Sequence, residues 1–123
     1  MIRPLGIAHA GLFAANLEVL AGFYEHTLGL RVIERHPDCY IFDAGAGALL
    51  EIWGKGVASP ARKTPGEQSV RICFLVDRIE PAVESLSSRG LVAAGEIGCY
   101  LGTRWIHYTD PEGNAFGLVD LHA

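Results

Sequence analysis

The chain has 123 residues, of which 50% are hydrophobic and 20% charged, and its formal net charge is −4. This length predicts a single domain with a substantial core, and this composition excludes a disordered chain. The net charge is acidic and the chain has no basic stripe, which argues against nucleic acid and anionic membrane surfaces as partners. No run of residues approaches the roughly 20 apolar residues that a membrane span needs.

Short alternating runs of β-branched and aromatic residues predict eight strands in two groups of four. We expect them near residues 5–13, 31–35, 39–43, 48–53, 69–76, 92–97, 103–109 and 114–121. Apolar residues that recur at spacings of three and four predict two helices, near residues 17–28 and 78–89. This order of elements predicts an α+β fold.

The ends of both predicted helices carry capping signals. Asn16 is placed to cap the first helix through its side chain. Asp77 and Glu80 have the spacing of a capping box at the start of the second helix. Gly29 and Gly90 follow the two helices where a C-terminal cap is expected.

The chain is expected to repeat one structural plan within a single domain, residues 1–123. Residues 54–68 are rich in Gly and Pro and predict an exposed linker. The linker separates modules near residues 5–53 and 69–121. The first strands of the two modules can be laid over each other so that Gly11 meets Cys73, and the last strands so that Glu51 meets Gly117.

The three cysteines, Cys39, Cys73 and Cys99, are odd in number and form no CxxC pair. They argue against a disulfide framework or a zinc cluster, and we expect each to be a small core residue. Free thiols suit a reducing compartment, and the first residues lack the pattern of a signal peptide. We therefore expect a cytoplasmic protein.

Two motifs carry a resemblance to a known family. The predicted first helix ends in Phe-Tyr-Glu-His-Thr-Leu-Gly-Leu at residues 23–30, and a turn Asp-Pro-Glu-Gly-Asn occupies residues 110–114. With His9 in the first strand, these motifs closely resemble the vicinal oxygen chelate superfamily, which includes glyoxalases, bleomycin-resistance proteins and dioxygenases. The resemblance covers nearly the whole chain. It implies two β-α-β-β-β modules forming a curled mixed sheet with a cleft, and a homodimer, sometimes with exchanged modules.

The resemblance also implies positions for metal ligands. Metal-dependent members take up to four, one each from the first and last strand of each module, and these positions carry His9, Glu51, Arg71 and Gly117 here. Arg is a permanent cation and Gly has no side chain, so two positions cannot bind a metal. His107 offers a third ligand, and a His9, Glu51 and His107 set would suit one divalent Zn, Ni, Mn or Fe ion. In an enzyme, Glu51 and His107 would be the candidate catalytic residues.

A cleft without a metal would bind its ligand through other side chains. The expected ligand-binding residues are Phe13, Trp53, Arg71, Trp105 and His107. The aromatic rings offer flat apolar surface, and a guanidinium binds anions in a two-pronged fashion. We therefore expect a small-molecule ligand with an aromatic part and an anionic group, and no cofactor. In this interpretation the Arg71 guanidinium replaces the metal as the positive centre, within hydrogen-bonding reach of Glu51.

Three classes of function follow from these residues. The first is a small-molecule binder of the bleomycin-resistance kind, and the second is a metal-dependent lyase, isomerase or dioxygenase. A structural module without a ligand is the least favoured, because buried polar groups on strand faces are costly unless they are paired or used. The loss of two of the four metal positions favours the binder.

Overall fold

A computed structural model describes residues 1–58, 63 and 67–122 of the chain. This part of the chain forms eight strands, two α-helices and one π-helix. In chain order they are β1 (His9–Phe13), α1 (Leu17–Gly22), the π-helix Phe23–Thr27, β2 (Val32–Arg35), β3 (Cys39–Asp43), β4 (Leu49–Trp53), β5 (Ile72–Leu75), α2 (Ile79–Ser88), β6 (Gly98–Tyr100), β7 (Thr103–Thr109) and β8 (Ala115–Asp120).

The chain divides into two units, Met1–Ala58 and Ser59–Ala123. The first unit holds a four-stranded sheet in the order β1-β4-β3-β2, and the second holds one in the order β5-β8-β7-β6. In each sheet the first strand pairs with the last in parallel, and the other pairs are antiparallel. The predicted α+β class with two β-α-β-β-β modules is confirmed.

The pairing registers of the two sheets correspond residue by residue. Gly11 pairs with Glu51 in the first sheet, and Cys73 pairs with Gly117 in the second. Gly11 and Cys73 are also the residues that meet when the first strands of the modules are laid over each other, and Glu51 and Gly117 meet when the last strands are. The parallel pairs of the two units are therefore built in the same register.

The position of β6 was predicted wrongly. The sequence places a strand near residues 92–97, whereas β6 is Gly98–Tyr100. Leu101 and Gly102 both have positive φ, 47° and 79°, and they join β6 to β7. A two-residue turn of this kind fixes the register of the strands beside it. Tyr100 therefore pairs with Thr103, and the strand lies directly before the turn.

The first helix begins as predicted but changes its winding. The Asn16 side chain accepts a hydrogen bond from the Val19 backbone N–H at 3.2 Å, which confirms the predicted cap. The α-helix ends at Gly22, and a π-helix follows in which the Leu28 N–H donates to the Phe23 carbonyl at 3.1 Å. Gly29 then takes the positive φ of a helix cap, 79°.

The core of the first unit lies between this helical segment and one face of the sheet. Fully buried side chains come from the helical segment and from the β3 and β4 positions that alternate toward it. They are Leu20, Ala21, Tyr24, Phe42, Leu50 and Ile52. Because alternate strand residues point to opposite faces, the other face of this sheet is left without a helix.

The second helix starts differently from the prediction. Arg78, not Asp77, occupies the cap position and makes no capping hydrogen bond through its side chain. The Ile79 N–H instead donates to Asp120 Oδ2 at 2.8 Å, from the end of β8. The predicted capping box is therefore wrong, because the Asp120 carboxylate, which is distant in sequence, already accepts the hydrogen bond of the Ile79 amide.

A cluster of three charged side chains surrounds this helix start. Arg104 on β7 donates to both carboxylate oxygens of Asp120, at 3.0 and 2.6 Å. It also donates to both carboxylate oxygens of Glu80, at 2.5 and 2.8 Å. Asp120 is fully buried, so its charge depends on Arg104 and on the Ile79 amide for compensation. The cluster holds α2 against β7 and β8.

The Asp-Pro-Glu-Gly-Asn turn between β7 and β8 is held by its own side chains and by Lys63. Asp110, which is buried, accepts hydrogen bonds from the backbone N–H groups of Glu112 and Asn114 at 2.9 and 3.0 Å. The Lys63 N–H donates to the Gly113 carbonyl at 2.9 Å. The Lys63 ammonium also donates to the Glu112 carbonyl at 2.9 Å and to Asn114 Oδ1.

The predicted linker, residues 54–68, lies partly outside the described residues, because positions 59–62 and 64–66 are not among them. In the part of the chain that is described, no helix is long and apolar enough to cross a membrane.

The three cysteines are free thiols, but only one of them is a core residue. Cys39 is buried, whereas Cys73 and Cys99 are exposed. The expectation that every cysteine is a small core residue was therefore wrong for two of them.

The Arg104 cluster predicts an acid-sensitive contribution to stability. Hydrogen bonding from Arg104 lowers the pKa of Glu80 from its ordinary value of 4.5 to about 2. The contribution is complete above about pH 4.5, where Glu80 is ionised both folded and unfolded, and is lost as the pH falls toward about 2. We expect the free energy of unfolding, measured by denaturant titration, to fall less steeply across this window in Glu80→Gln than in the native protein.

Glu84→Gln is the matched control for this experiment. Glu84 lies on the same helix, and no ion pair involves it among the described residues. This variant should follow the pH dependence of the native protein. Identical acid profiles for Glu80→Gln and Glu84→Gln would contradict the assignment.

Candidate functional site

The sheet of the first unit has one face that carries no helix. Cross-strand pairing places side chains of β1 and β4 together on it. We call this surface the first open face, formed by His9, Gly11, Phe13, Leu49, Glu51 and Trp53. Two large aromatic side chains remain accessible here, since Phe13 is 67% exposed and Trp53 is 38% exposed. Both rings of the predicted ligand-binding residues Phe13 and Trp53 are therefore accessible from solvent.

Glu51 is oriented by partners within its own unit. Trp53 Nε1 donates a hydrogen bond to Glu51 Oε1 at 3.1 Å. His9 Nδ1 lies 3.9 Å from Glu51 Oε2. The Glu51 side chain is 21% exposed and that of His9 is 56% exposed, so the pair is reachable from solvent. The structure therefore brings together His9, Glu51 and Trp53 of the predicted site residues.

The second unit has an equivalent face, opposite the side where Glu80 and Asp120 anchor α2. Pairing across β5, β8 and β7 sets Cys73, Gly117 and His107 in one row and Leu75, Val119 and Trp105 in the next. We call this surface the second open face, formed by these six residues and Arg71. Arg71 lies one residue before β5, at the parity of Cys73. The structure thus brings together Arg71, Trp105 and His107 of the predicted site residues.

Arg71 and His107 form the polar part of the second open face. Burial, together with the nearby Arg71 charge, lowers the pKa of His107 below its ordinary value of 6.5. The imidazole is therefore neutral at neutral pH, with one ring nitrogen free to accept a proton or hydrogen bond. Arg71 is exposed and has no ion pair among the residues that the structure describes. Its guanidinium can therefore bind an anion from solvent.

Gly117 allows two neighbouring side chains to approach the backbone in the middle of this face. A Cβ added at position 117 would lie 2.8 Å from Cys73 Sγ and 3.1 Å from His107 Cδ2. The thiol and the imidazole therefore occupy the space that a side chain at position 117 would need. Sequence reasoning did not select Cys73, although its alternation with Arg71 along the strand could have placed it on this face.

Trp105 lies flat across the edge strand β6. Gly98 on β6 is the cross-strand partner of Trp105. A Cβ added at Gly98 would lie 2.4 Å from Trp105 Cε2. Only glycine allows the indole ring to pass this close to the β6 backbone. The ring is half-buried, and its remaining surface forms an apolar platform beside His107.

These side chains do not fit the metal site that the resemblance implies. His9 and Glu51 can ligate a metal, but Arg71 has no lone pair to offer and Gly117 has no side chain. In residues 1–58, 63 and 67–122, no group of three or more His, Cys, Asp or Glu side chains is arranged to hold a metal ion. The arrangement can supply aromatic surface, one guanidinium and one neutral imidazole.

Comparison with known proteins agrees with this architecture. Three similar solved structures are a glyoxalase/bleomycin resistance protein/dioxygenase from Nocardioides, a lactoylglutathione lyase from Agrobacterium tumefaciens and an antibiotic binding protein from Streptomyces. Their sequence identities to this chain are 21%, 19% and 20%, and their TM-scores are 0.75, 0.72 and 0.74, respectively. The matches cover 99%, 95% and 98% of this chain and 87%, 94% and 99% of the respective structures.

At these identities the structural likeness shows the fold alone. Among curated proteins, none matches the chain significantly. Residues 6–118 match the family model described as the Glyoxalase/Bleomycin resistance protein/Dioxygenase superfamily. This match spans most of the chain, and the fold and the two sequence motifs agree with it. The chain therefore belongs to the glyoxalase/bleomycin resistance protein/dioxygenase superfamily.

Proposed function

We propose that this protein binds a small molecule that has a planar apolar part and an anionic group, and that it does so without a metal. The observation that carries the proposal is the placement of Arg71 on the same open face as His107, whose pKa is lowered by burial and by the Arg71 charge. A guanidinium that has no carboxylate partner among the described residues is a ready anion-binding group. In this chain it occupies a position where metal-dependent relatives supply a ligand.

The aromatic side chains support the planar part of the ligand. Phe13 and Trp53 are accessible on the first open face, and Trp105 forms a platform on the second. Small-molecule sites are generally apolar surfaces with a few polar groups that fix orientation. One structural neighbour is a lyase and another an antibiotic binding protein, so the fold is compatible with catalysis and with binding alone. The site side chains, a guanidinium and aromatic surfaces, favour binding alone.

The alternative is a metal-dependent lyase, isomerase or dioxygenase that uses His9, Glu51 and His107. A divalent ion held by His107 would lie near the permanent charge of Arg71, which lowers the pKa of this imidazole. Like charges at such a distance repel each other, and more strongly where water is excluded. The same Arg71 that favours an anionic ligand thus disfavours a metal.

Arg71 should determine the affinity for anionic aromatic compounds. We expect 2-naphthoate to raise the melting temperature of the native protein more than 2-naphthamide or 2-naphthylmethylamine, which keep the ring system and change the charge. Arg71→Met should weaken naphthoate binding by roughly 10-fold or more, the usual worth of a charge-assisted hydrogen bond. Isothermal titration calorimetry measures both affinities.

Arg3→Met is the control for a general loss of positive charge, because Arg3 is exposed and lies outside every strand and helix. It should bind naphthoate as the native protein does. Arg71→Lys should retain part of the affinity, since it keeps the charge and loses the two-pronged geometry. Selective stabilisation by the amine, or equal losses in Arg71→Met and Arg3→Met, would count against the proposal.

Metal content tests the alternative directly. We expect protein purified without a chelating column to contain well under one divalent ion per chain, measured by plasma mass spectrometry. Arg71→His replaces the repelling cation with a ligand-type side chain and should increase the metal content. A tightly held Zn, Ni, Mn or Fe ion in the native protein that disappears in His9→Ala would favour the enzyme.

We also propose that the protein is a homodimer. Each four-stranded sheet has two edge strands, β1 and β2 in the first unit and β5 and β6 in the second. Unpaired strand edges invite pairing unless they are covered. Sedimentation at micromolar concentration should give twice the chain mass of 13.2 kDa. A single monomeric species would refute this.

A further inference from the structure

Cys73 and His107 both lie against the backbone of Gly117. Cys73 Sγ is 2.8 Å and His107 Cδ2 is 3.1 Å from the same point, the position of a Cβ on Gly117. Two atoms that are each this close to one point cannot lie far from each other. The thiol and the imidazole are therefore neighbours that close over the Gly117 backbone.

Arg71 adds a positive charge beside this pair. It precedes Cys73 by two residues on the same face, and its charge acts on the His107 ring. Thiols gain reactivity when cationic groups and imidazoles are close to them. An anionic reagent drawn to the guanidinium would arrive next to the exposed sulfur.

We propose that Cys73 is a nucleophile that captures small anionic electrophiles, such as α,β-unsaturated or α-halogenated carboxylates, on the second open face. Arg71 holds the carboxylate, and His107 receives the thiol proton. This covalent capture goes beyond the reversible binding proposed above, and either can hold without the other.

The chemistry needs no further reactant. In conjugate addition, the Cys73 sulfur forms a bond to the β-carbon as its proton moves to a His107 ring nitrogen. The electron pair of the carbon–carbon double bond shifts to the α-carbon, which then takes the proton from the imidazolium. With an α-halogenated acid, the sulfur displaces the halide, and the proton passes from His107 to water. The neutral state of His107 leaves a ring nitrogen available for this transfer.

The other two thiols provide internal references. Cys39 is buried, and burial raises the pKa of its thiol, so it should react slowly. Cys99 is exposed, but its cross-strand partner Arg104 is already bound by Glu80 and Asp120. Cleavage after Lys and Arg places each cysteine in a separate tryptic peptide, so all three rates can be measured in one sample.

The test compares iodoacetate with iodoacetamide, which share the reacting carbon and differ in charge. Alkylation rates are measured for each peptide by mass spectrometry. We expect the ratio of the Cys73 rate to the Cys99 rate to be about five- to tenfold higher with iodoacetate, the size of effect expected of one nearby cation. In Arg71→Met, the ratio of the Cys73 rate to the Cys99 rate should be nearly the same for iodoacetate and iodoacetamide. Arg71→Lys should preserve most of the difference between the two reagents.

Two further variants test the imidazole and the glycine beneath it. His107→Gln should slow Cys73 alkylation by both reagents roughly tenfold or more, because it removes the proton acceptor. Gly117→Ala places a methyl group 2.8 Å from the sulfur and should also slow Cys73, while Cys99 reacts as before.

The proposal is overturned if native Cys73 shows no preference for iodoacetate over Cys99, or if the preference persists in Arg71→Met. An unchanged Cys73 rate in His107→Gln would remove the imidazole from the site. Circular dichroism and the Cys39 rate report whether each variant remains folded. The alkylation rates are measured without naphthoate, so failure of covalent capture is distinguishable from failure of the proposed binding function.

Discussion

The parallel pairing of the first and last strand in each unit is the constraint on which the rest of this structure depends. Parallel neighbours cannot be joined by a tight turn, so the chain must leave the sheet and return. Here the return passes through a helical segment and two antiparallel strands. The helical segment covers one face and buries its apolar residues there. The opposite face receives no helix, which leaves its side chains available for chemistry.

Pairing then decides which side chains meet on these faces. In the second sheet, three neighbouring strands align Cys73, Gly117 and His107 in one row. The equivalent pair in the first sheet is Gly11 and Glu51. The same scaffold position thus carries a carboxylate in one unit and a glycine in the other. The resemblance implies metal ligands at these positions in metal-dependent members, whereas this chain offers a guanidinium and a free thiol near the glycine.

The two helices show how one plan is stabilised by different interactions. The first helix begins with a local cap, since the Asn16 side chain binds an amide three residues away. The second begins with Asp120, whose carboxylate arrives from the end of the last strand and is itself held by Arg104. A local cap fixes only the helix end. A cap from the sheet also fixes where the helix lies on it, and it makes that attachment sensitive to acid.

The sequence by itself determined the elements whose causes are local. Alternation predicted most strands, Asn16 and the glycines at 29 and 90 marked helix ends, and the Asp-Pro-Glu-Gly-Asn turn formed where expected. Two motifs indicated the family, and strand parity placed aromatic residues with Glu51 and His107 on the faces they occupy.

Only the tertiary structure decided the position of β6, the cap of α2 and the surroundings of Cys73. β6 lies after the predicted segment because a two-residue turn sets its register, and α2 is capped by a residue 41 positions away. Cys73 became a candidate only when pairing brought it beside Gly117 and His107, because contacts between distant strands leave no trace in local residue patterns.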